Sequence, residues 1–334
     1  MQYKIIALLT ALTIGSINTK SLAQEGSVLT VGVGGTFGKP KIMPHLDKFA
    51  LAQLSVTYKL TTTQMSIGKG AGKMAGARIT AYLETTDGEL TDADFQEITD
   101  YFFAYFQKKL KANGVDTVAW SKIAATDFYK DADEKSDDKE DKEENLVKVT
   151  KFANNGNNMY GGFAGFAFGK IKRASRFCDD IGAPAGFFHL TVDFADLTAG
   201  VNIKSDAPNY PSGYYPYTVT TTYKYHAATK PDMKVIPNPK VLTMLWNEKS
   251  QSETINQQKD IASDMEYHTA LVQDPSRIKN RAFAFAKAMD PVVIETTREK
   301  YKAAAKKALE KYADSYDGED EDEPHQRAAL CHDR

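Results

Sequence analysis

The stretch Leu90–Gly114, "LTDADFQEITDYFFAYFQKKLKANG", decides the fold class, because it carries the clearest helical pattern in the chain. Thr91 or Asp92 can cap its start, and Asp94 places negative charge in the first turn, where the helix dipole favours it. We therefore predict an amphipathic helix that stops at Gly114. Its apolar residues recur every three or four positions and form one stripe: Phe95, Ile98, Phe102, Phe106 and Leu110.

Strand patterns lie on both sides of this helix. Apolar and polar residues alternate over Leu54–Leu60 and Ile79–Leu83 before it, and Val115–Trp120 follows it as a further strand. The alternation in Leu54–Leu60 predicts a strand with one buried face. Strand, helix and strand in succession indicate α/β layering. Over residues 24–249 we predict an α/β or α+β fold, with a mixed β-sheet flanked by helices.

Residues 250–316 contain no glycine, and their patterns predict a helical C-terminal segment packed on the α/β domain. Asp274-Pro275 and Asp290-Pro291 each place a capping acid before a proline, an arrangement typical of helix starts. Residues 317–334 are mostly polar, and we predict a disordered tail there. The last predicted helix has one apolar side, made of Tyr301, Ala304, Ala305, Ala308, Leu309 and Tyr312.

Residues 1–23 have the pattern of a secretory signal peptide. Lys4 gives a positive start, Ile5–Ile17 is a short apolar run, and the "SLA" of residues 21–23 puts small residues at the cleavage positions. The apolar run is shorter than the ~20 residues that a membrane-spanning helix needs. We therefore expect export to the periplasm or the extracellular space, with outer-membrane association left open.

The charge of the predicted mature chain argues against nucleic-acid binding. Removing residues 1–23 takes away Lys4 and Lys20 and no acid, so the net charge falls from −2 by two units to −4. Proteins that bind nucleic acid generally present a basic face to the phosphates. We expect no nucleic-acid partner for a mildly acidic protein of this kind.

Two segments of unusual composition interrupt the predicted elements. Residues 131–145 are almost entirely charged, so we predict a disordered acidic insertion; an EF-hand calcium loop is the alternative, but the required glycine and ligand spacing are absent. Asn154–Gly169, "NNGNNMYGGFAGFAFG", is rich in glycine and aromatic residues. A loop that runs into a packed element is one interpretation, and a segment at Tyr160–Ile171 that inserts into a membrane or an oligomer seam is the other.

The glycine-rich stretch Ser66–Thr80, "SIGKGAGKMAGARIT", suggests a phosphate-binding loop at first sight. A Walker A loop needs four residues between its glycines and a hydroxyl after the lysine, whereas here three residues separate Gly68 from Gly72 and Met74 follows Lys73. The next element alternates like a strand, although phosphate loops lead into a helix. We predict a glycine loop between two strands, with Lys69 and Lys73 as speculative anion- or partner-binding residues.

The candidates for catalysis and metal binding are few. Phe188–Phe194 alternates as a strand, and we expect Leu197–Ile203 to continue the same sheet. The alternation places His189 and Asp193 on one face, where they are weak candidates for a metal ligand pair or acid–base work. Cys178 is followed by two acids, which disfavour a reactive thiolate, and its pairing with Cys331 stays open. We predict no cofactor and no dedicated metal site.

Tyrosines are concentrated in residues 210–226, "YPSGYYPYTVTTTYKYH". In a regular strand, Tyr215, Tyr217, Tyr223 and Tyr225 share one face. Such a face suits the binding of glycans, peptides or partner proteins. Packing beneath the C-terminal segment explains the same pattern equally well, so both interpretations stay open.

The run Leu83–Ile123, "LETTDGELTDADFQEITDYFFAYFQKKLKANGVDTVAWSKI", resembles uncharacterised secreted bacterial proteins in which a strand precedes an "ITD"-containing helix, a glycine and a further strand. More distantly, this layout is similar to the α/β domain of curli-secretion pore lipoproteins. The resemblance rests on the layout and on Ile98-Thr99-Asp100, and it implies no catalytic residue. The residue directly after the predicted cleavage point is Gln24 and not a cysteine, so a lipid anchor is not expected.

These observations favour a non-catalytic, envelope-associated binding or assembly protein. Its expected partners are envelope proteins, glycans or a second copy of itself, with peripheral contact to a membrane. A small periplasmic hydrolase with a dispersed site around His189 and Asp193 is the first alternative. An oligomer subunit that inserts into a membrane through Tyr160–Ile171 is the second.

Overall fold

A computed structural model gives the fold and describes residues 29–34, 41–70, 73–132, 147–159, 168–205, 221–237, 243–277 and 286–316. The protein is mixed α/β, and strands dominate it. Its helices are α1 Asp92–Ala112, α2 Trp120–Ala124, α3 Asp127–Lys130, α4 Phe168–Ile181 and α5 Arg298–Asp314. Its strands are β1 Leu29–Gly34, β2 Lys48–Lys59, β3 Thr61–Gly70, β4 Lys73–Thr85, β5 Asp116–Thr117, β6 Lys148–Phe152, β7 Ala185–Asp193, β8 Asp196–Ser205, β9 Thr221–Lys230, β10 Lys234–Ile236, β11 Thr243–Trp246, β12 Ser252–Gln257, β13 Ile261–Ala262, β14 His268–Gln273, β15 Ala286–Ala288 and β16 Val292–Thr296.

The first sheet is built around β2 and β7, which run parallel to each other. Beyond β7 lie β11, β12 and β1 along its first half, and β10 and β13 along its second half. On the other side of β2 lie β5 and β6. Strand β2 is buried along nearly its whole length, so both of its faces are covered rather than one as predicted.

Helices cover both faces of the first sheet. On one face, the stripe of α1 packs with the buried side of α5 over residues such as Val56 and Leu190. On the other face, α2, α3 and α4 contribute Ile123, Phe128 and Phe177 to a second cluster. Both clusters bury large apolar side chains, and this burial is the main favourable contribution to folding.

The predicted helix Leu90–Gly114 is confirmed in its position and its caps. Thr91 accepts a hydrogen bond from the backbone N–H of Asp94, and the Asp94 carboxylate accepts one in return from the backbone N–H of Thr91, which is a capping box. Phe95, Ile98, Phe102 and Phe106 of the stripe are buried. The strand predicted after Gly114 is reduced to β5, which pairs with the start of β2.

The second sheet continues directly from the first. Only Leu60 separates β2 from β3, so the chain passes from one sheet into the other with almost no connection. Strand β3 pairs with β4 as an antiparallel hairpin, and β4 pairs on its other side with β15 and β16. Strand β14 pairs with β16. The shared cluster of Ile79, Ala81 and Ile294 with first-sheet residues joins the two sheets into one core.

Strands β8 and β9 form a separate two-stranded sheet, so the prediction that Leu197–Ile203 continues the first sheet is wrong. This pair packs on one face of the β3–β4 hairpin. At Gly68 the approach is close, because a Cβ there would lie 3.0 Å from Cγ1 of Val201. The absence of a side chain at Gly68 therefore lets the two layers meet.

The predicted helical segment 250–316 is wrong for most of its length. Residues 252–296 contain the five strands β12–β16, and the C-terminal helix of the segment is α5, Arg298–Asp314. Asp274-Pro275 leads into a single 3-10 turn, and Asp290-Pro291 precedes β16. Several of these strands are rich in threonine, valine and isoleucine, which favour strands, and their partner strands lie far away in the sequence.

Several predictions concern residues outside the described ranges. They are the signal peptide 1–23, most of the acidic insertion 131–145, Tyr215, Tyr217, Cys331 and the tail 317–334. Of the glycine- and aromatic-rich segment, Phe168–Ile171 is described and begins helix α4, and residues 160–167 are not.

Candidate functional site

Asp193, one of the two weak candidates for metal binding, is buried and already paired. Its carboxylate accepts a hydrogen bond from Lys59 Nζ at 2.6 Å and another from Thr62 Oγ1 at 3.2 Å. The backbone N–H of Ala195 approaches the other oxygen at 3.4 Å. These contacts lie where β2 passes into β3 and β7 ends, so Asp193 connects the two sheets there.

His189 lies four residues earlier on β7, about 13 Å away at the rise of a strand. Its Nδ1 lies 2.7 Å from the hydroxyl of Ser55 on the neighbouring strand β2. Burial lowers the pKa of His189 to about 3, so the imidazole is neutral at physiological pH and a weak base. Ser55 is only 3% exposed, which leaves a substrate little access to its hydroxyl.

Cys178 lies in the second core cluster and is 1% exposed. Its thiol donates a hydrogen bond to the carbonyl of Trp246, and burial raises its pKa to about 12. A thiol with this pKa carries almost no thiolate at neutral pH, so it is not a nucleophile. The structure therefore gives Cys178 a packing role.

The structure places the glycine-rich stretch in a β-hairpin, with Ser66–Gly70 in β3 and Lys73–Thr80 in β4, so the prediction of a loop is wrong for most of the stretch. We call the hairpin formed by β3 and β4 the arm. Its strands pair from Thr61 opposite Tyr82 to Gly70 opposite Lys73. Residues 71 and 72, at the turn between the strands, lie outside the described residues. Lys69 is exposed near the end of the arm, and Lys73 is the first residue of β4.

One face of the arm combines exposed apolar and basic side chains. Directly paired residues of a hairpin project to the same side, and so do alternate residues of one strand. Met65 pairs with Arg78, and Lys69 pairs with Met74, on either side of Ile67. We call the set Met65, Ile67, Lys69, Met74 and Arg78 the arm face.

The apolar members of the arm face are unusually exposed for their size. Met65 is 39%, Ile67 44% and Met74 48% exposed. In contrast, Ala75, Ala77 and Ile79 on the other side of β4 are buried. One side of the arm is therefore part of the core, and the other side presents a cluster of large apolar residues to solvent.

The basic members of the arm face have no acidic partner among the residues that the structure describes. Neither Lys69 nor Arg78 forms an ion pair with any residue that the structure describes. Between Thr61 and Leu83 the sequence has three basic residues and no acid, although acids outnumber bases in the whole chain by 44 to 42. The arm is thus a locally positive feature of a slightly acidic protein.

Tyr223 and Tyr225, the two described members of the predicted tyrosine face, lie on β9. Both are partly buried, and Tyr225 is paired with Val201, whose side chain lies against Gly68 of the arm. Lys287 lies over the ring of Tyr225 at 5.5 Å. This part of the tyrosine pattern thus lies on the side of β9 that is turned toward the second sheet.

A cleft of about 570 Å³ lies at the same layer boundary. Neither His189 nor Asp193 lines it, so the two residues with candidate chemistry do not face this cleft. Its lining comes from β9, β4, β14, β16 and the turn before β16: Ile79, Ala227, Thr229, Leu271, Gln273, Met289, Asp290 and Val292.

In the part of the chain that the structure describes, no three His, Cys, Asp or Glu side chains come together to hold a metal ion. Within the same residues, no helix combines the length and apolar character needed to cross a membrane.

Comparisons with known proteins give no relative: no family model, no curated protein and no solved structure matches the chain. The resemblance of Leu83–Ile123 to secreted bacterial proteins and to curli-secretion pore lipoproteins therefore stays a prediction. The candidate surface rests on the geometry of this chain alone.

Sequence reasoning named Lys69 and Lys73 but missed the apolar half of the arm face. Part of the signal was present in the sequence, because Met65, Ile67 and Lys69 occupy alternate positions. Met74 joins this face because it pairs with Lys69 across the hairpin. Period two alone does not show which side of a hairpin is buried. Only the packing of β8 and β9 on the opposite side identifies Met65, Ile67 and Met74 as exposed.

Proposed function

We propose that this protein is an exported, non-catalytic binding and assembly protein of the cell envelope, and that the arm face is its contact surface. The observation that carries the proposal is the exposure of Met65, Ile67 and Met74 beside the unpaired cations Lys69 and Arg78. The signal-peptide pattern of residues 1–23 supports the location.

The arm face has the composition of a protein contact surface. Clusters of exposed large apolar side chains are characteristic of interaction sites, whereas single ones are common and need no explanation. Methionine is flexible and polarisable, and it adapts to partners of different shape. Arginine and lysine at the border add charge complementarity and steer an acidic partner toward the surface.

The buried functional groups give little support to an enzyme. Asp193 is held by Lys59 and Thr62, His189 is a weak base, and Ser55 is nearly inaccessible. A catalytic base and its nucleophile need to reach a substrate in a cleft. Because the described cleft contains none of these three residues, binding is the function that the geometry favours.

The test compares the protein with an Ile67→Thr/Met74→Thr variant by light scattering after size-exclusion chromatography and by fractionation of cell envelopes. Wild type is expected to form oligomers or to fractionate with the envelope. Removing two half-exposed apolar side chains from a contact is expected to cost about 2 kcal/mol, which is roughly a 30-fold loss of affinity.

A matched control separates the arm from general surface hydrophobicity. Met265 and Val272 are 37% and 42% exposed and belong neither to the arm face nor to the cleft lining, and a Met265→Thr/Val272→Thr variant should behave as wild type in both assays. Urea unfolding should show that both double variants remain folded. A wild-type protein that is strictly monomeric and absent from the envelope fraction would overturn the proposal, as would an arm variant indistinguishable from wild type.

A further inference from the structure

The cleft between β9 and the second sheet differs from the arm face in shape and composition. Its floor is apolar, because Ile79 of β4 and Val292 of β16 are both buried there. Ala227 of β9, Leu271 of β14 and Met289, which precedes β16, add further apolar lining. Its volume of about 570 Å³ lies within the range of small-molecule sites.

Three oxygen-bearing side chains interrupt this apolar lining. They are the hydroxyl of Thr229, the amide of Gln273 and the carboxylate of Asp290. Apolar walls with a few polar groups that fix the orientation of a ligand are the usual composition of such sites. Among the described residues that line the cleft, Asp290 is the one that carries a charge, so its field favours a cation over an anion.

These polar groups have unused hydrogen-bonding capacity. The Thr229 Oγ1 atom is buried and has no hydrogen-bond partner among the described residues. A buried hydroxyl without a partner is costly, which makes a ligand that satisfies it favourable. Asp290 is exposed and forms no ion pair with a described residue. The carboxylate is therefore available to a ligand that enters the cleft.

We propose that this cleft binds a primary ammonium group carried on an apolar chain. An ammonium has three N–H donors and no acceptor, and the lining offers three oxygens that accept: Thr229 Oγ1, Gln273 Oε1 and the Asp290 carboxylate. The apolar chain lies on Ile79, Val292 and Leu271. A carboxylate or phosphate ligand would meet the like charge of Asp290 and find no cation in the lining.

The experiment titrates the full-length purified protein with octylammonium, below its micelle-forming concentration, by isothermal titration calorimetry. Octanoate and 1-octanol serve as probes of the same chain length with a negative and a neutral head. We expect saturable binding of octylammonium with one site per chain. Octanol should bind more weakly and octanoate should not bind.

Variants locate the binding in the cleft. Asp290→Asn removes the charge at an exposed position, where folding is little affected, and should weaken octylammonium binding roughly tenfold. Ala227→Phe fills the cleft and should abolish binding. The Ile67→Thr/Met74→Thr variant, whose changes are on the arm face, should bind octylammonium as wild type does, which excludes adsorption of the probe on that face.

Two outcomes would overturn the inference. One is the absence of saturable octylammonium binding to a wild-type protein that is folded by circular dichroism. The other is an Asp290→Asn variant that binds octylammonium as tightly as wild type. Because the arm variant is tested separately, failure at the cleft leaves the proposed function of the arm face untouched.

Discussion

At the scale of single residues, two glycines show how packing decides what a position tolerates. A Cβ on Gly186 of β7 would lie 2.2 Å from Cζ of Phe49 and 2.6 Å from Cε2 of Phe188, and both rings are buried. A Cβ on Gly200 of β8 would meet the ring of His226, which is exposed. The Phe49 ring is enclosed by the core, whereas the His226 ring can rotate into solvent.

We therefore predict that Gly186→Ala destabilises the protein by about 2 kcal/mol, the usual size of an overpacking penalty in a filled core. Gly200→Ala, the matched control, should change stability by less than about 0.5 kcal/mol, because a surface side chain can move aside. Urea denaturation followed by circular dichroism gives both values. Equal effects of the two substitutions would contradict the packing around Phe49.

At the scale of elements, an ion pair joins the starts of α1 and α5. Arg298 donates two hydrogen bonds to the Asp94 carboxylate, at 2.9 and 2.8 Å, and Asp94 also belongs to the capping box of α1. Burial alone would raise the pKa of Asp94, but the hydrogen bonds from Thr91 and Arg298 outweigh it and lower the pKa. The ionised carboxylate is thus the form that the fold stabilises.

The pH dependence of folding stability follows from the lowered pKa of Asp94. The pKa of Asp94 is lower in the folded than in the unfolded protein. The ionised carboxylate therefore makes its full contribution to folding stability above the pKa of about 4 that an unfolded aspartate has. This contribution is lost as the pH falls through the folded pKa. We predict that Asp94→Asn costs about 1 kcal/mol at pH 7, allowing for the partial exposure of Arg298, and that its difference from wild type shrinks below pH 4.

Asp92→Asn is the control for this prediction. Asp92 lies in the same first turn and pairs with Lys151 at 3.0 Å, but its side chain is exposed, so the effect should be small at every pH. Urea unfolding at a series of pH values measures both variants. A penalty for Asp94→Asn that stays constant down to pH 2.5 would show that the carboxylate charge is not what matters.

The elements also show where sequence reasoning succeeds. Helix α1 is predictable because its stripe, its cap and its stop are all local signals. Residues 252–296 were expected to be helical because they lack glycine and contain two Asp-Pro pairs. Their strands are specified by distant partners instead: β16 pairs with β4, and β12 pairs with β1, more than 200 residues away in each case. No local sequence pattern predicts pairing between strands so far apart in the chain.

At the scale of the whole molecule, two sheets share one core, so we expect the described part of the chain to unfold as a unit. Cys178 is a natural probe of this unfolding, because it lies on the buried side of α4, in the cluster that packs on the first sheet. With its pKa raised to about 12 by burial, roughly one thiol in ten thousand is ionised at pH 8. Both the burial of the Cys178 thiol and its low ionisation slow its reaction with thiol reagents.

We predict that Cys178, in a Cys331→Ser variant that leaves it as the sole thiol, reacts with Ellman's reagent only as fast as the protein unfolds globally. Labelling should take hours in buffer and seconds to minutes in concentrated urea. The unfolding rate measured by circular dichroism provides the comparison. Rapid labelling in buffer would show that α4 opens on its own.

The arm face can also be recognised only from the packing of the whole molecule. The positive character of residues 61–83 is visible in the sequence, because they contain no acid. The exposure of Met65, Ile67 and Met74 is not visible there, since it depends on β8 and β9 packing on the opposite side of the arm. The same sequence with the hairpin turned over would bury these three residues.

The most direct test of the arm face as a contact surface is methionine oxidation, read by mass spectrometry at each position. Met65 and Met74 lie on the arm face, whereas Met265 is 37% exposed elsewhere, and Met159 and Met233 are buried. Exposed methionines oxidise to the sulfoxide, and buried ones are protected. The three groups therefore provide a signal, an exposed reference and a buried reference within one molecule.

The measurement compares protein in the envelope fraction of the cells that express it with a purified Ile67→Glu variant in dilute solution, which keeps both methionines. We predict that Met65 and Met74 oxidise several-fold more slowly in the envelope fraction, while Met265 oxidises equally in both samples. If Met65 and Met74 oxidise at the same rate in the envelope fraction as in the dilute variant, the assignment of the arm face as the contact surface is contradicted.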